Sequence, residues 1–577
     1  MRRTDTRPAP AHDGHTAAAV FVLALLVYNA NLRYIGSYDS YSTSLLPFRI
    51  LAGHGLTLAD PSAMPESIRY SIVRARDGEW RSRYPIATPI LVTPLYIPAA
   101  ALVAAGMETD LAFLRLLMDK VVASVLAALS ASILFLVLRR LTTRPLALWL
   151  TAAYALGTGT WAIGSQALWQ ESASGLFVAL ALFVVVRAGD SWAAPAALGL
   201  FAGLLAANRP TDVFFTLAFL AIALRKWGRR GAVAFVPVAL LGALTFAYNL
   251  HFFGHPLGDY GASEIEKNFR GPAGEPLGIT LGWLDGFLGL LFSIRGLLPW
   301  CPFLLVAASG LRRGEQRLEG ALGLALAFAA SLALHGRHHD WMGGYCYGPR
   351  FALHGLGAVV AMLATPLERV WRSIAGRILF AASVLFSVGL QAVGAFCYPG
   401  NDSGNERHLY HVASSSPVRA WQAGPQPPHF LDLVVPGLAA DRPLAPEQAR
   451  ALYEWEATPP PDWPSDTVRD VQVRVTNLGD TRWSSVGGRL GRGGVRWRVR
   501  WLRVTPEGAE QYWEEERWAF FDLEPGATSS RALSLASPPF EGPAVLEIGM
   551  TQSGLANFEA LGVPPLRSTV RLEPFRP

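Results

Sequence analysis

The chain has few charged residues for its length. Asp, Glu, Lys and Arg make up 16% of its 577 residues, against roughly 25% in a typical soluble domain. Lysine is especially scarce and occurs at positions 120, 226 and 267 alone. Together with a hydrophobic content of 51%, this composition excludes an ordinary soluble globular protein. The net charge of +6 comes largely from arginines in short loops between apolar runs, which is typical of membrane orientation signals and does not indicate nucleic-acid binding.

Cysteines and nucleotide-binding motifs are also scarce. Cys301, Cys346 and Cys397 are the three cysteines, and they match neither a zinc-binding spacing nor a disulfide framework. Cys346 and Cys397 either pair on the outer side of a membrane, where oxidising conditions permit disulfides, or stay free. The sequence contains no GxxxxGK(S/T), no GxGxxG after a strand and no GxSxG. Chemistry driven by a nucleotide at a soluble site is therefore disfavoured.

Long apolar runs are what the chain has instead. A membrane span needs about 20 apolar residues, and on that basis we predict a polytopic α-helical membrane protein with about eleven spans. The predicted spans are residues 15–33, 111–138, 145–163, 171–187, 193–208, 212–225, 231–252, 283–308, 319–336, 351–366 and 374–396. The first follows Arg2 and Arg3 without a clear cleavage site, which predicts an uncleaved span with a cytoplasmic N-terminus.

Four clusters of basic residues predict the orientation of these spans. They lie at residues 139–144, 225–230, 312–317 and 369–377. All four face the cytoplasm, as the positive-inside rule requires, if residues 85–106 do not cross the membrane. That segment contains four prolines, which disfavour a straight spanning helix, so we interpret it as a surface or re-entrant element. The resulting topology places the C-terminal region in the periplasm of a bacterium, outside the inner membrane.

The chain changes character after the last predicted span. Residues 1–400 form the predicted membrane domain, with a large outer loop at 34–110. Residues 401–465 are rich in Pro, Ser and charge and are interpreted as a linker. In residues 466–577, short runs such as 471–475 alternate apolar and polar side chains and are separated by turn signals. This pattern predicts a C-terminal all-β sandwich domain.

Asp39 is the most prominent polar residue of the outer loop. A carboxylate at this position is suited to take the proton from an acceptor hydroxyl during an inverting sugar transfer. The alternative is that Asp39 caps the helix that starts near Ser42. Glu171, at the outer start of a span, faces the same side and is the second catalytic candidate. For Glu171 the alternative is that its charge complements the helix dipole in a first turn.

Several cations on the outer loops are candidates for binding a lipid phosphate, which requires cations and backbone donors around it. Arg209 lies between two short spans, and Arg350 lies at the start of another. The alternative for each is a side chain that extends to the membrane interface. The remaining substrate-binding candidates are Arg83, Tyr84, Lys267 and Arg270.

Two further groups have competing interpretations. The run of His335, His338, His339 and Asp340 fits no standard metal-ligand spacing, so we expect a polar loop and no cofactor, with a divalent metal as the alternative. The tryptophans of the C-terminal domain either stack on sugar rings or fill the sandwich core. These tryptophans are Trp483, Trp497, Trp501, Trp513 and Trp518.

Taken in order along the chain, these motifs resemble the GT-C class of polyprenyl-phosphate-dependent membrane glycosyltransferases, which includes protein O-mannosyltransferases and lipid A aminoarabinose transferases. The resemblance covers about residues 15–400. It rests on the Asp39 loop, Arg83-Tyr84-Pro85, Trp169-Gln170-Glu171, Asn208-Arg209-Pro210 and Gly348-Pro349-Arg350.

The resemblance implies that Asp39 is the catalytic base, that Glu171 helps to organise the site and that basic residues hold the lipid phosphate. The first loop has no DxD pair, so a metal-dependent oligosaccharyltransferase is not expected. We therefore expect an inverting glycosyltransferase that moves a monosaccharide from a polyprenyl-phosphate donor to a glycan, lipid or protein acceptor at the periplasmic face. The alternatives are a lipid-linked glycan flippase or transporter and a glycan-binding membrane scaffold.

Overall fold

The structure is a computed structural model of the full chain. It describes residues 12–574 except 37, 63, 65–68, 109, 190, 270–280, 313–315, 339–340, 345, 401–411, 413–414, 427, 436–441, 466, 518 and 520–521. The chain forms two compact units. The first comprises Met1–Ala30 and Tyr34–Ala395, and the second comprises Asn31–Arg33 and Phe396–Pro577.

The first unit is mainly α-helical. Its apolar runs are rich in Leu and Ala, which favour helices, and a helix satisfies its own backbone hydrogen bonds in an apolar medium. A hairpin of β1 (Ile72–Arg74) and β2 (Trp80–Ser82) interrupts the helices in the outer loop. The helices are α1 (His12–Asn29), α2 (Tyr41–Leu51), α3 (Ala87–Val92), α4 (Ile97–Ala104), α5 (Leu111–Leu141), α6 (Arg144–Gly157), α7 (Gln170–Arg187), α8 (Ala193–Asn208), α9 (Val213–Trp227), α10 (Phe235–Phe253), α11 (Gly258–Phe269), α12 (Leu281–Phe292), α13 (Leu297–Trp300), α14 (Phe303–Ala308), α15 (Ala321–Gly336), α16 (Leu356–Met362), α17 (Ala364–Val370) and α18 (Ile374–Cys397).

Five helical stretches are long and apolar enough to cross a membrane. They are Ala87–Ala104, Leu111–Leu141, Gln170–Arg187, Pro210–Phe253 and Ile374–Cys397. A sixth span results if the bent pair Arg350–Met362 and Ala364–Val370 is counted as one crossing. The helices α1, α8 and α15 are apolar but shorter. Within the described residues, fewer helices than the predicted eleven therefore have the length of a full crossing.

A glycine and a proline account for one part of this difference. The predicted span 283–308 is divided into α12, α13 and α14, with breaks at Gly296 and Pro302, residue types that interrupt helices. The predicted surface or re-entrant element forms α3 and α4, joined by a 3-10 turn. Its length and composition alone qualify it as a candidate span. Pro94 and Pro98 each lie in the first turn of a helical segment, where the missing N–H is tolerated.

Residues from or beside the four basic clusters meet at one end of the first unit. Arg317 and Thr142 both donate hydrogen bonds to Glu368 Oε1. Lys226 pairs with Glu319, with 3.5 Å between Nζ and Oε2. These contacts link the ends of α5, α9 and α17 with the segment before α15. The clusters therefore share one side of the helical unit, as the orientation argument requires.

The second unit contains the C-terminal strands and a short helix, α19 (Ser416–Ala423). Its strands are β3 (Ala451–Ala457), β4 (Asp462–Pro464), β5 (Val468–Asn477), β6 (Trp483–Ser484), β7 (Val495–Thr505), β8 (Gly508–Arg517), β9 (Asp522–Leu523), β10 (Thr528–Ala536), β11 (Gly542–Gln552), β12 (Ala556–Asn557) and β13 (Leu566–Glu573). The larger sheets have the strand orders β10-β5-β3 and β4-β13-β11-β7-β8, while β12 pairs with β11, and β6 pairs with β9. These pairings are antiparallel apart from β4 with β13.

Both larger sheets contribute to one buried core. Alternate residues of β5, including Val471 and Val473, and of β7 belong to it, so the alternation read from the sequence is confirmed as strand. Trp483, Trp497 and Trp501 are buried in this core, which excludes them as exposed platforms for sugar rings. Trp513 packs against the same core and is partly buried, whereas Trp518 lies outside the described residues.

The β-structure begins earlier than the predicted boundary at residue 466. β3 and β4 lie within the predicted linker 401–465, and they pair with β5 and β13. A short segment predicted to belong to the first span, Asn31–Arg33, also belongs to the second unit, since Arg33 Nη2 donates to the Tyr398 carbonyl at 2.8 Å. Arg33 and Tyr398 are 365 positions apart, and local composition does not reveal that contact.

Candidate functional site

Asp39 lies in a short 3-10 turn directly before α2 and is held by three side chains. Arg350 Nη1 donates to its Oδ2 at 2.7 Å, Tyr84 donates to Oδ1 at 3.0 Å, and Tyr70 also donates to Oδ1. The cap position of α2 is occupied by Ser40, whose side chain makes no capping hydrogen bond. The interpretation of Asp39 as a helix cap is therefore wrong.

The surroundings of Asp39 favour its ionised form. Burial raises the pKa of Asp39, but the charge of Arg350 and the hydrogen bonds from Tyr70, Arg350 and Tyr84 outweigh burial and bring the pKa below its ordinary value. Burial, together with the Asp39 charge, raises the pKa of both tyrosines, so their hydroxyls remain protonated donors. At neutral pH the site therefore contains a carboxylate that is stabilised as an anion.

Glu171 lies between two arginines. Its Oε1 is 3.6 Å from Arg350 Nε and 3.3 Å from Arg209 Nη2. The Glu171 side chain is 5% exposed, and it lies in the first turn of α7. The Arg350 guanidinium also lies over the Trp169 ring, 4.5 Å from its centroid. Arg350 thus joins the two catalytic candidates, Asp39 and Glu171, through one guanidinium.

These residues line a cavity of about 480 Å³. One part of its wall is polar and contains the five side chains Asp39, Tyr84, Glu171, Arg209 and Arg350. Another part is apolar and comes from α8, α9, α10 and α15 and from the segment before α11. The apolar lining residues from these elements include Ala206, Val213, Phe246, Pro256, Leu257 and Leu334. The cavity therefore combines an ionic end with an apolar flank.

Asp119 of α5 fixes the two segments that carry the acidic residues. Its Oδ2 accepts a hydrogen bond from Ser40 Oγ at 2.9 Å, and its Oδ1 accepts one from the Leu168 backbone N–H at 2.5 Å. Ser40 adjoins Asp39, and Leu168 lies three residues before Glu171. Asp119 is 0% exposed, so these contacts form a buried link between the two halves of the polar wall.

The other predicted substrate-binding residues have different positions. Arg83 is not among the described residues that line the cavity; its Nε pairs with Asp259 at 2.8 Å, and its Nη2 donates to Ser263 Oγ at 2.6 Å. These contacts hold α11, which contributes to the cavity wall. Lys267 lies further along α11, with its side chain outside the described part, and Arg270 lies outside the described residues.

The metal and disulfide alternatives find no support in the described part of the chain. No group of three or more His, Cys, Asp or Glu side chains there is placed to hold a metal ion. His335 and His338 line the cavity instead, while His339 and Asp340 lie outside the described residues. All three cysteines are buried free thiols.

Three contributors to the site are not identified by any sequence motif. Tyr70, His354 and Asp119 belong to no motif and become recognisable through their contacts alone. Tyr70 reaches Asp39 across 31 positions of the chain, and His354 reaches Arg209 across 145. A buried carboxylate in an apolar helix was the one available hint for Asp119, because ionisable residues in such helices are costly and usually have a function.

Two solved glycosyltransferases are similar to this chain. ArnT from Cupriavidus metallidurans bound to undecaprenyl phosphate is 13% identical, with a TM-score of 0.44 over 72% of this chain and 69% of its own length. Its apo state gives 0.42 over 71% and 68% at the same identity. The apo oligosaccharyltransferase of Archaeoglobus fulgidus gives 0.35 at 13% identity, over 70% of this chain and 56% of its own. Both are GT-C glycosyltransferases, the class that the sequence motifs resemble. No family model and no curated protein matches the chain.

Proposed function

We propose that this protein is an inverting glycosyltransferase that moves a monosaccharide from a polyprenyl-phosphate donor to an acceptor hydroxyl. The observation that carries this proposal is the convergence of the Asp39 carboxylate with the Arg209 and Arg350 guanidinium groups on one cavity. Sugar transfer from a phosphate requires a base for the acceptor and cations for the leaving group. The ionic end of the cavity contains both.

The cavity suits a lipid phosphate. Arg209 and Arg350 line the cavity beside Asp39 and Glu171, so two guanidinium groups lie where a phosphate can bind. A sugar linked to a polyprenyl chain through one phosphate carries one negative charge. The apolar flank offers a place for the first isoprene units, whose burial is worth about 25 cal/mol per Å² of apolar surface.

In the proposed reaction Arg350 changes partner. The donor phosphate competes with Asp39 for the guanidinium, since arginine binds phosphate and carboxylate alike. Release of Asp39 removes the interaction that lowers its pKa and makes it a stronger base. Asp39 then takes the acceptor proton while the acceptor oxygen attacks the anomeric carbon. The sugar–phosphate bond breaks, its electron pair goes to the phosphate held by Arg209 and Arg350, and the single displacement inverts the configuration.

We place the site at the periplasmic face of a bacterial inner membrane. Between Asp119 and Leu141 the helix α5 rises about 33 Å at 1.5 Å per residue, which is close to the roughly 30 Å of a bilayer's hydrocarbon core. The basic clusters gather at the Leu141 end, which is therefore assigned to the cytoplasm. The acceptor would then be a glycan, lipid or protein of the cell envelope.

Mass spectrometry of lipid-linked sugars and envelope glycans tests this function. Cells with wild type, a gene deletion and Asp39→Asn would be compared at equal membrane abundance of the protein. We expect the deletion and Asp39→Asn to accumulate the same polyprenyl-phosphate sugar and to lose one glycan modification. An effect of the deletion that Asp39→Asn does not share would contradict the transferase and favour transport or a scaffold.

Tyr70→Phe is expected to increase hydrolysis of the donor in the absence of acceptor. Tyr70 is 39% exposed. Its hydroxyl donates a hydrogen bond to Asp39 Oδ1 and so occupies a lone pair to which water or substrate would otherwise donate. A hydrogen bond to a charged group is worth about 1.5–3 kcal/mol, so removing it should raise sugar release about tenfold. Release of free sugar from the purified donor is the measurement.

Tyr41→Phe is the matched control for this substitution. The Tyr41 ring packs under Arg115 at 4.5 Å, and phenylalanine keeps that contact. We expect Tyr41→Phe to leave donor hydrolysis unchanged. If Tyr70→Phe instead loses transfer without any gain in hydrolysis, Tyr70 assists the reaction rather than occupying the acceptor's place.

A further inference from the structure

The guanidinium of Arg209 is held by two buried imidazoles. Arg209 Nη2 lies 2.9 Å from His335 Nε2, and Nη1 lies 3.4 Å from His354 Nδ1. His335 is near the end of α15, and His354 is in the 3-10 turn Arg350–Gly355. Their exposed fractions are 5% and 0%. Three segments that are distant in sequence therefore meet at this one cation.

The hydrogen bonds fix both imidazoles as neutral tautomers. Arginine has N–H donors and no acceptor, so each imidazole must offer it a lone pair. His335 Nδ1 lies 2.7 Å from the Ser331 carbonyl oxygen, which accepts only, so Nδ1 carries the hydrogen and Nε2 is the free acceptor. His354 Nε2 lies 2.8 Å from Ser331 Oγ and 3.8 Å from Asp212 Oδ1, which assigns its hydrogen to Nε2 and its lone pair to Nδ1.

Neutral acceptors fix the direction of a guanidinium without cancelling its charge. A carboxylate in either position would form an ion pair and compete with an incoming anion. Among the described residues, Glu171 is the carboxylate within ion-pair distance of Arg209. Arg350 shares this carboxylate, and the buried Asp212 lies at the opposite ring nitrogen of His354. Part of the Arg209 charge therefore remains directed at the cavity that Arg209 lines.

Aromatic packing holds the two imidazoles in place. The Phe351 ring stacks on His335 with 4.6 Å between centroids and 30° between planes. The Phe215 ring meets His354 edge-on at 5.6 Å. Buried rings packed in this way have little freedom to rotate, so the two acceptors are preorganised before any ligand arrives.

We propose that His335 and His354 are positioning residues for an anion site at Arg209. They orient the guanidinium toward the cavity and keep its charge available for the phosphate of a lipid phosphate. This inference rests on the proposed function for the identity of that anion. It predicts that the imidazoles act through their acceptor nitrogens, and hence that an amide oxygen at the same place can replace them.

Four substitutions distinguish a role of the acceptor nitrogens from a role of the volume of the imidazole rings. His335→Gln and His354→Asn place an amide oxygen near the original Nε2 and Nδ1, whereas His335→Leu and His354→Leu keep volume and remove the acceptor. The probe is undecaprenyl phosphate in detergent, with undecaprenol as the uncharged comparison, and the readout is quenching of tryptophan fluorescence. We expect the leucine variants to bind undecaprenyl phosphate about tenfold more weakly than wild type and to bind undecaprenol like wild type. The amide variants should bind undecaprenyl phosphate with an affinity within about threefold of wild type.

A double-mutant cycle with Arg209→Lys shows whether the histidines act through Arg209. If they do, His335→Leu has little further effect in the Arg209→Lys background, because coupled residues are non-additive. His251→Leu, at an exposed position on α10, controls for loss of an imidazole. Equal binding by all four variants, additive effects with Arg209→Lys, or weakening of undecaprenol binding to the same extent would overturn the proposal.

The same measurements separate this inference from the proposed function. Phosphate-specific binding that depends on the histidines, in a protein that transfers no sugar, would keep the anion site and reject the transferase. Sugar transfer that is unchanged in His335→Leu and in His354→Leu would keep the transferase and reject the positioning role. If His354→Leu does not fold, His354→Asn and the two His335 variants still decide the question.

Discussion

Asp39→Asn is expected to reduce sugar transfer to below about a hundredth of the wild-type rate, because a positioned general base contributes roughly 10²–10⁴-fold. Asparagine has nearly the same shape, and its oxygen can still accept hydrogen bonds where Tyr70 and Tyr84 now donate. It has no basic lone pair at neutral pH and cannot take the acceptor proton. The measurement is the initial rate of transfer by purified protein at saturating donor.

Asp60→Asn is the control for this experiment. Asp60 lies in the same outer loop at an exposed position, and its carboxylate accepts a hydrogen bond from the nearby Ser62 N–H. We expect Asp60→Asn to transfer at the wild-type rate. Both variants should bind undecaprenyl phosphate and unfold at wild-type temperatures within a few degrees. Full activity of a folded Asp39→Asn protein would remove Asp39 from the mechanism.

The parts of this molecule that sequence reasoning anticipates are those with a local physical signature. Apolar runs of helix formers predict helices, and strict alternation in 471–475 predicts a strand, since each reflects where side chains point along one element. The same reasoning does not anticipate where an apolar run is broken. It counts apolar length, whereas Gly296 and Pro302 divide one such length into pieces.

The site shows the same division between local and distant information. Asp39 is conspicuous because it is an acidic residue at the end of an apolar run, but its partner Arg350 lies 311 positions away. Arg83 is equally conspicuous, but the sequence gives no sign that its guanidinium pairs with Asp259. Helix packing decides which cation pairs with which carboxylate, and that packing cannot be read directly from a single sequence.

Arg350→Gln is expected to reduce transfer about 100-fold or more, because a cation that stabilises the leaving phosphate is worth as much as an oxyanion-hole donor. It should also change the pH dependence. The Arg350 charge helps to lower the pKa of Asp39 in the protein without donor. The value of kcat/KM for the donor, which reports the free enzyme, should therefore decline in wild type only below the ordinary titration range of aspartate. Without Arg350, the largest interaction that opposes burial is lost while the hydrogen bonds from Tyr70 and Tyr84 remain, and the pKa of Asp39 rises.

The acid limb of the pH–rate profile of Arg350→Gln should therefore move to higher pH, since the rate falls as the pH falls through the pKa of the base. Arg209→Gln is the matched comparison, because Arg209 pairs with Glu171 rather than with Asp39. It should lose rate through weaker phosphate binding and keep the wild-type acid limb. The two arginines then have separable roles, one on the phosphate alone and one on both phosphate and base. Identical acid limbs in the two variants would contradict the partner exchange of Arg350, because that exchange requires the Asp39 pKa to respond to Arg350 and not to Arg209.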